Sequence, residues 1–169
     1  KDKIKLIKNS GKGKIDAINC GFLISKGKFI KLVGGDDEID LSFIDRFKNY
    51  EDGCSYVHFA KIVNENNEFL GNYVPAYQIF NYDLEKYLLN NISCPSWCWI
   101  FPKEVGNLFF PLPEIEYEDL YLSFCIKKFS KIKILNENFY RYRQNPGQTF
   151  GNILKFDNQV GRFRNLRSL

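Results

Sequence analysis

The chain has 169 residues, 44% of them hydrophobic and 17% aromatic, which is enough apolar surface for a buried core and too little length for a multi-domain assembly. Its longest apolar runs, Trp97 to Phe101 and Leu108 to Leu112, fall far below the roughly 20 residues that cross a bilayer, so no transmembrane helix is expected. The net charge of +4 conceals three blocks, with nine lysines against two aspartates in residues 1–33, five basic against sixteen acidic residues in 34–119, and ten against two in 120–169.

An acidic middle between basic ends suits a cleft where a divalent cation meets a polyanion, and it equally describes a solvated surface. The first residue is Lys1, with no apolar signal region after it, which fits a piece of a longer chain. Five cysteines, none in a CxxC pair, and one histidine, His58, make a zinc site unexpected. The cysteines read as small core hydrophobes, and reduced thiols fit a cytoplasmic protein.

Ile4 to Lys8 alternates apolar and basic like a strand, and Gly11-Lys12-Gly13 breaks it. Ile15, Ile18 and Phe22 recur at helical spacing between Lys14 and Lys26, and Gly27 supplies a C-cap. Lys28 to Val33 reads as a second strand, so the opening third predicts a β-α-β unit with parallel strands. Ligands of such sheets bind beyond strand C-termini, which is where Gly34-Gly35-Asp36-Asp37 falls, before a helix from Leu41 to Asn49 capped by Asp40. Ser55 to Val63 and Glu68 to Tyr73 predict a hairpin across Asn64 to Asn67. Further on, the pattern predicts a helix over Tyr82 to Asn91, a buried strand over Trp97 to Phe101 and a helix over Tyr117 to Phe129. Strands follow at Lys131 to Leu135 and Phe139 to Arg143, then an amphipathic tail from Asn152 to Leu166.

Paired carboxylates at a Gly-rich strand end suit a hard cation against phosphate oxygens, and Asp36 and Asp37 answer to that description or simply open the next helix. Glu118 and Asp119 either stabilise a helix N-terminus or supply a base. Trp97 and Trp99 stack on sugar rings or sit in the core. His58, in an alternating strand, reads as structural. The basic ends carry no nucleic-acid-binding motif, and the acidic middle argues against that partner.

Gly11-Lys12-Gly13-Lys14-Ile15-Asp16-Ala17-Ile18-Asn19-Cys20-Gly21, then Gly27-Lys28-Phe29-Ile30 and Gly35-Asp36-Asp37, resembles the donor-binding half of inverting glycosyltransferases of family two. Pro113 to Asp119 resembles that family's acidic Glu-Asp element, and Tyr140 to Thr149 its C-terminal Tyr-Arg segment. The resemblance implies a GT-A, Rossmann-like nucleotide-sugar-binding domain: an α/β fold with a mostly parallel sheet flanked by helices and a small antiparallel portion. It implies a partial catalytic domain over residues 1–150, lacking the nucleobase-binding strands that open the family's domain, and a C-terminal tail over residues 151–169. Asp36 would hold Mn²⁺ or Mg²⁺ with Asp37 beside it, Asp119 would be the general base, and Glu118 would orient it or line the acceptor pocket. Lys12, Lys14, Asp16 and Asn19 would contact the nucleotide. Arg141 and Arg143 would clamp the diphosphate, although strand alternation suggests that only one of the two faces the cleft. Trp97 and Trp99 would line the acceptor site. Gly34 and Asn145 stand where the family usually carries an acidic or amide residue and a histidine.

The activity implied is transfer of a sugar from a nucleotide-diphospho sugar, a UDP-sugar foremost, to a glycan or lipid-linked acceptor in bacterial surface polysaccharide assembly. Its place would be the cytoplasm, with peripheral membrane contact through Lys155, Arg162, Arg164 and Arg167. A non-catalytic relative that binds glycan or a partner is the alternative.

Overall fold

The computed structural model describes residues 4–9, 11, 13–47, 50–75, 83, 86, 94–115 and 118–145. In chain order these form α1 (Gly13–Ile24), β1 (Phe29–Lys31), β2 (Glu38–Ile39), α2 (Phe43–Arg46), β3 (Cys54–His58), β4 (Ala60–Asn64) and β5 (Phe69–Tyr73). A 3-10 turn (Ser96–Cys98), β6 (Trp99–Pro102), α3 (Lys103–Gly106), α4 (Glu118–Phe129), β7 (Lys131–Leu135) and β8 (Tyr140–Gln144) follow. The tail over 151–169 and the helix expected over Tyr82 to Asn91, Asp83 and Lys86 apart, lie outside the described residues.

The strands form two four-stranded sheets, ordered β1-β6-β3-β7 and β2-β8-β4-β5. β1 and β3 each pair antiparallel with β6, and β3 pairs parallel with β7. In the second sheet β8 pairs antiparallel with β2 and parallel with β4, while β4 and β5 are antiparallel. The expectation of a mostly parallel, Rossmann-like GT-A sheet is therefore corrected: the chain is a mixed α/β protein in which most strand pairings among the described residues are antiparallel.

The reason begins at the first predicted strand. Residues 4–9 form no strand, and Ile4 and Leu6 stand 88% and 96% exposed, so alternation there finds neither a partner nor a core. Among the described residues the opening third forms no β-α-β crossover without it. β1 instead takes β6 as its neighbour, with Ile30 opposite Phe101. Trp99-Ile100-Phe101 is buried throughout, and an apolar strand covered on both faces suits the interior of a sheet.

Burial then alternates with the pleat. Ile30, Val57, Trp99 and Phe101 pack with Phe22 of α1 and Leu122, Cys125 and Ile126 of α4. Tyr56 and Ile100 point the other way, into a second cluster with Phe43, Phe139 and Tyr140, against which Phe29 packs. The run expected as one strand from Ser55 to Val63 is divided at Phe59, so that Cys54–His58 belongs to the first sheet and Ala60–Asn64 to the second. A chain that changes sheets in this way joins the two cores. The predicted hairpin forms: Asn64 Oδ1 accepts the Asn66 and Glu68 N–H groups at 3.0 and 2.9 Å, and Asn67 takes φ 65°, which asparagine tolerates. No helix among the described residues is long and apolar enough to cross a membrane.

Candidate active site

The loop after β1 is shaped by Asp37. Its Oδ2 accepts the Tyr140 hydroxyl at 2.6 Å and its Oδ1 the Arg143 N–H at 2.8 Å, while the Tyr140 oxygen accepts the Gly34 N–H at 3.1 Å. A Cβ on Gly34 would lie 2.4 Å from Asp37 Oδ2, so any larger residue there displaces that carboxylate. Burial pushes the Asp37 carboxyl above its ordinary range, against the two hydrogen bonds that favour its charged form. Asp37 thus ties the loop to β8, whereas its neighbour Asp36 is exposed and accepts the Asn145 amide at 2.7 Å on Oδ2.

The two arginines of β8 lie two residues apart and so share a face of the strand, the one opposite Tyr140 and Tyr142. Both hold Glu38: Arg143 Nη2 at 2.6 Å and Arg141 Nη1 at 3.2 Å. Arg143 also donates to the carbonyls of Asp36 and Asn64 at 2.9 and 3.3 Å, which binds it into the loop framework.

The second acidic group opens α4. Glu118 is buried and forms an ion pair with Lys14 of α1. Burial would lower the Lys14 ammonium, but that pairing and the charge of Asp119 raise it above its usual value. Asp119 is half-buried and accepts the Ser96 N–H at 2.6 Å. Burial, then the charge of Glu118, pushes its carboxyl upward against Lys14 and Ser96. One turn along the same helix face, Ser123 Oγ accepts Cys94 N–H and Trp99 Nε1–H and donates to the Cys94 carbonyl, each at 3.1 Å. Asp119 and Ser123 together dock the Cys94–Cys98 turn onto α4.

That turn carries Trp97 onto the tyrosines of β8. Its ring stacks on Tyr140 and Tyr142, centroids 5.1 and 5.0 Å away, and meets Tyr73 edge-on at 5.0 Å. Tyr142 is half-buried, and its phenol is pushed up by burial and then by the charges of Asp37, Asp36 and Asp119. Both acidic groups therefore bear on one aromatic wall.

Trp99 is corrected as an acceptor contact: it is wholly buried, with its indole N–H spent on Ser123. Asn19 has both ends of its amide engaged by the backbone of Leu112, at 2.9 and 2.7 Å. Asp16 accepts the Gly11 N–H at 2.7 Å and closes the loop before α1. Lys12 lies outside the described residues. His58 is wholly buried, its ring nitrogens 2.7 and 3.0 Å from the carbonyls of Phe59 and Trp97. Cys54, Cys94, Cys98 and Cys125 are buried as well.

Sequence reasoning assigned no role to Tyr140, Tyr142, Ser96 or Ser123. The alternation Tyr-Arg-Tyr-Arg was the available signal for the two tyrosines, since it puts both on one face. Among the described residues no three His, Cys, Asp or Glu side chains converge as a metal cage. An exposed Asp36 fits the other mode for Mg²⁺ or Mn²⁺, in which one or two carboxylates hold a cation that phosphate oxygens and water also ligate. No protein-family model matches the chain, and no curated protein matches it either.

Proposed function

We propose that the chain serves a glycosyltransferase that moves a sugar from a nucleotide-diphospho sugar, a UDP-sugar foremost, to a hydroxyl of a glycan or lipid-linked acceptor with inversion. The observation that carries this reading is the chain of contacts between the two acidic groups: Tyr140 bonds Asp37 and stacks on Trp97, whose neighbour Ser96 donates its N–H to Asp119. In this reading Asp119 takes the proton of the acceptor hydroxyl. The freed oxygen pair bonds to the anomeric carbon, the bond from that carbon to the diphosphate oxygen breaks, and the nucleoside diphosphate leaves with the electrons. A raised carboxyl pKa suits a base, and Lys14 holds the adjacent Glu118 in place. The half-buried Trp97 offers a face to the acceptor sugar. A Mn²⁺ or Mg²⁺ held at Asp36 would, when bound, neutralise charge on the diphosphate. The biological setting in this reading is surface polysaccharide assembly at the cytoplasmic side of a membrane.

The test is a thermal-shift panel with uridine, guanosine, cytidine and thymidine diphosphates, with and without Mn²⁺. One nucleotide stabilises the protein only with the metal, and Asp36→Ala abolishes the shift. Asp119→Asn keeps the shift and loses transfer. A second reading, a non-catalytic binding module, is favoured by the engagement of both Asp37 oxygens within the chain. No shift with any nucleotide would select it.

A further inference from the structure

Lys31 ends β1, five residues before Asp36, and its ammonium turns inward. It donates to the carbonyl of Trp97 and, at 3.0 Å, to that of Leu32, and it lies 4.3 Å from the centre of the Tyr140 ring. His58 Nε2 meets the same Trp97 carbonyl at 3.0 Å. One enclosed amine thus joins β1, the Cys94–Cys98 turn and β8, and through the shared carbonyl it meets β3.

Among the described residues no carboxylate is paired with this ammonium; drawing it from water without one is unfavourable, and an apolar side chain would serve a purely structural position better. Burial pushes the amine down to about 7, while the charge of Asp37 opposes this. Among the described residues the titratable groups around it are His58 of β3, Cys98 of the turn, Tyr140 of β8 and Asp37 of the loop. What the amine gains there is control of orientation. The Trp97 carbonyl fixes the residue whose ring forms the cleft wall, and the Tyr140 ring carries the hydroxyl that holds Asp37.

We propose that Lys31 is a positioning residue of this site, whose half-buried side chain sets the Trp97–Tyr140–Tyr142 wall and the Asp37 loop in one arrangement. The use of that wall in sugar transfer rests on the function proposed above; the arrangement itself does not.

Near-ultraviolet circular dichroism reads the stacked Trp97–Tyr140–Tyr142 rings directly. Followed from about pH 6 to about pH 8, the unaltered protein shows a reversible one-proton step with far-ultraviolet signal unchanged. Lys31→Met, which keeps the length of the side chain and removes its donors, lacks the step and has an altered stack signal. No step in the unaltered protein, or the same step in Lys31→Met, overturns the proposal. Should Lys31→Met fail to fold, Lys31→Gln replaces it under the same criteria, and the titration of the unaltered protein needs no variant. UDP with Mn²⁺ then separates the two proposals: Lys31→Met binds it about tenfold more weakly. If neither UDP nor any other nucleoside diphosphate of the panel binds either protein, the transferase reading fails and the step still decides the role of Lys31. If it binds both equally, the positioning role fails and the transferase reading stands.

Discussion

Tyr140 donates its hydroxyl to Asp37 Oδ2 at 2.6 Å, linking the first residue of β8 to the loop that follows β1 across more than a hundred residues of sequence. The ring is wholly buried, and burial followed by the Asp37 bond pushes its phenol well above the usual tyrosine range, so it stays a donor at every physiological pH. Tyr140→Phe keeps the ring stacked on Trp97 and removes the bond. The expected loss is about 1–3 kcal/mol, because a half-buried carboxylate and the Gly34 N–H both lose a partner. Urea unfolding measures it, and the Asp37 pKa rises further in the variant because a bond that favours its charge is gone.

Gly34→Ala tests the close approach from the other side. The added methyl would sit 2.4 Å from Asp37 Oδ2 and 3.0 Å from its Cγ, so the carboxylate has to move and its bonds to Tyr140 and Arg143 N–H are strained together. A loss of about 1–3 kcal/mol is expected. Gly35→Ala, where a Cβ meets nothing within 4 Å, serves as the control and costs far less. Equal losses in the two variants would show that the loop is not organised by Asp37.

These contacts mark where sequence pattern stops being informative. Helical periodicity found α1, although it ends at Ile24 rather than at the cap expected of Gly27, the Glu118-Asp119 pair found the start of α4, and the asparagines of 64–67 found the hairpin, because each is set by neighbours in the chain. Strand direction was not legible, since the partner of β1 lies some seventy residues away in β6 and alternation carries no sign of it. The division of one apolar run at Phe59 between two sheets was hidden for the same reason. In the site, the Gly-Gly-Asp-Asp and Glu-Asp signatures located both carboxylate pairs. Which aspartate is tied inward depends on Tyr140 and Arg143, and no local signal shows that.

Ser123→Ala addresses the docking of the Trp97 turn. The hydroxyl satisfies three buried groups: the Cys94 N–H, the Cys94 carbonyl and the Trp99 indole. Alanine leaves all three without this partner, and a loss of about 2–4 kcal/mol is expected in chemical unfolding. Ser123→Cys, of similar shape but with a weaker donor and acceptor, recovers only part of it. Because Asp119 lies one turn away and bonds Ser96 of the same turn, Ser123→Ala also shifts the Asp119 titration, read by carboxyl carbon NMR.

His58 predicts the acid response. Burial, then the charge of Lys31, lowers its pKa from 6.5 to about 3, so the folded protein keeps the ring neutral where the unfolded chain protonates it. Above pH 6.5 neither state carries the proton and the stability is complete. As pH falls below 6.5 the unfolded state gains a proton that the folded state refuses, and stability declines down to about pH 3. Asp37 and Asp119, whose folded pKa values are raised, work in the opposite sense once the pH enters their range, so the decline is clearest in the upper part of that window. His58→Gln is less stable at neutral pH, because its side chain no longer fills the space beside Phe139 and Tyr140, where the imidazole lies 4.5 and 5.6 Å from their ring centres. Its stability nevertheless changes little between about pH 6.5 and about pH 5, while that of the unaltered protein falls. Urea midpoints at half-unit pH steps decide the matter: parallel curves for the two proteins would assign the acid response to other groups.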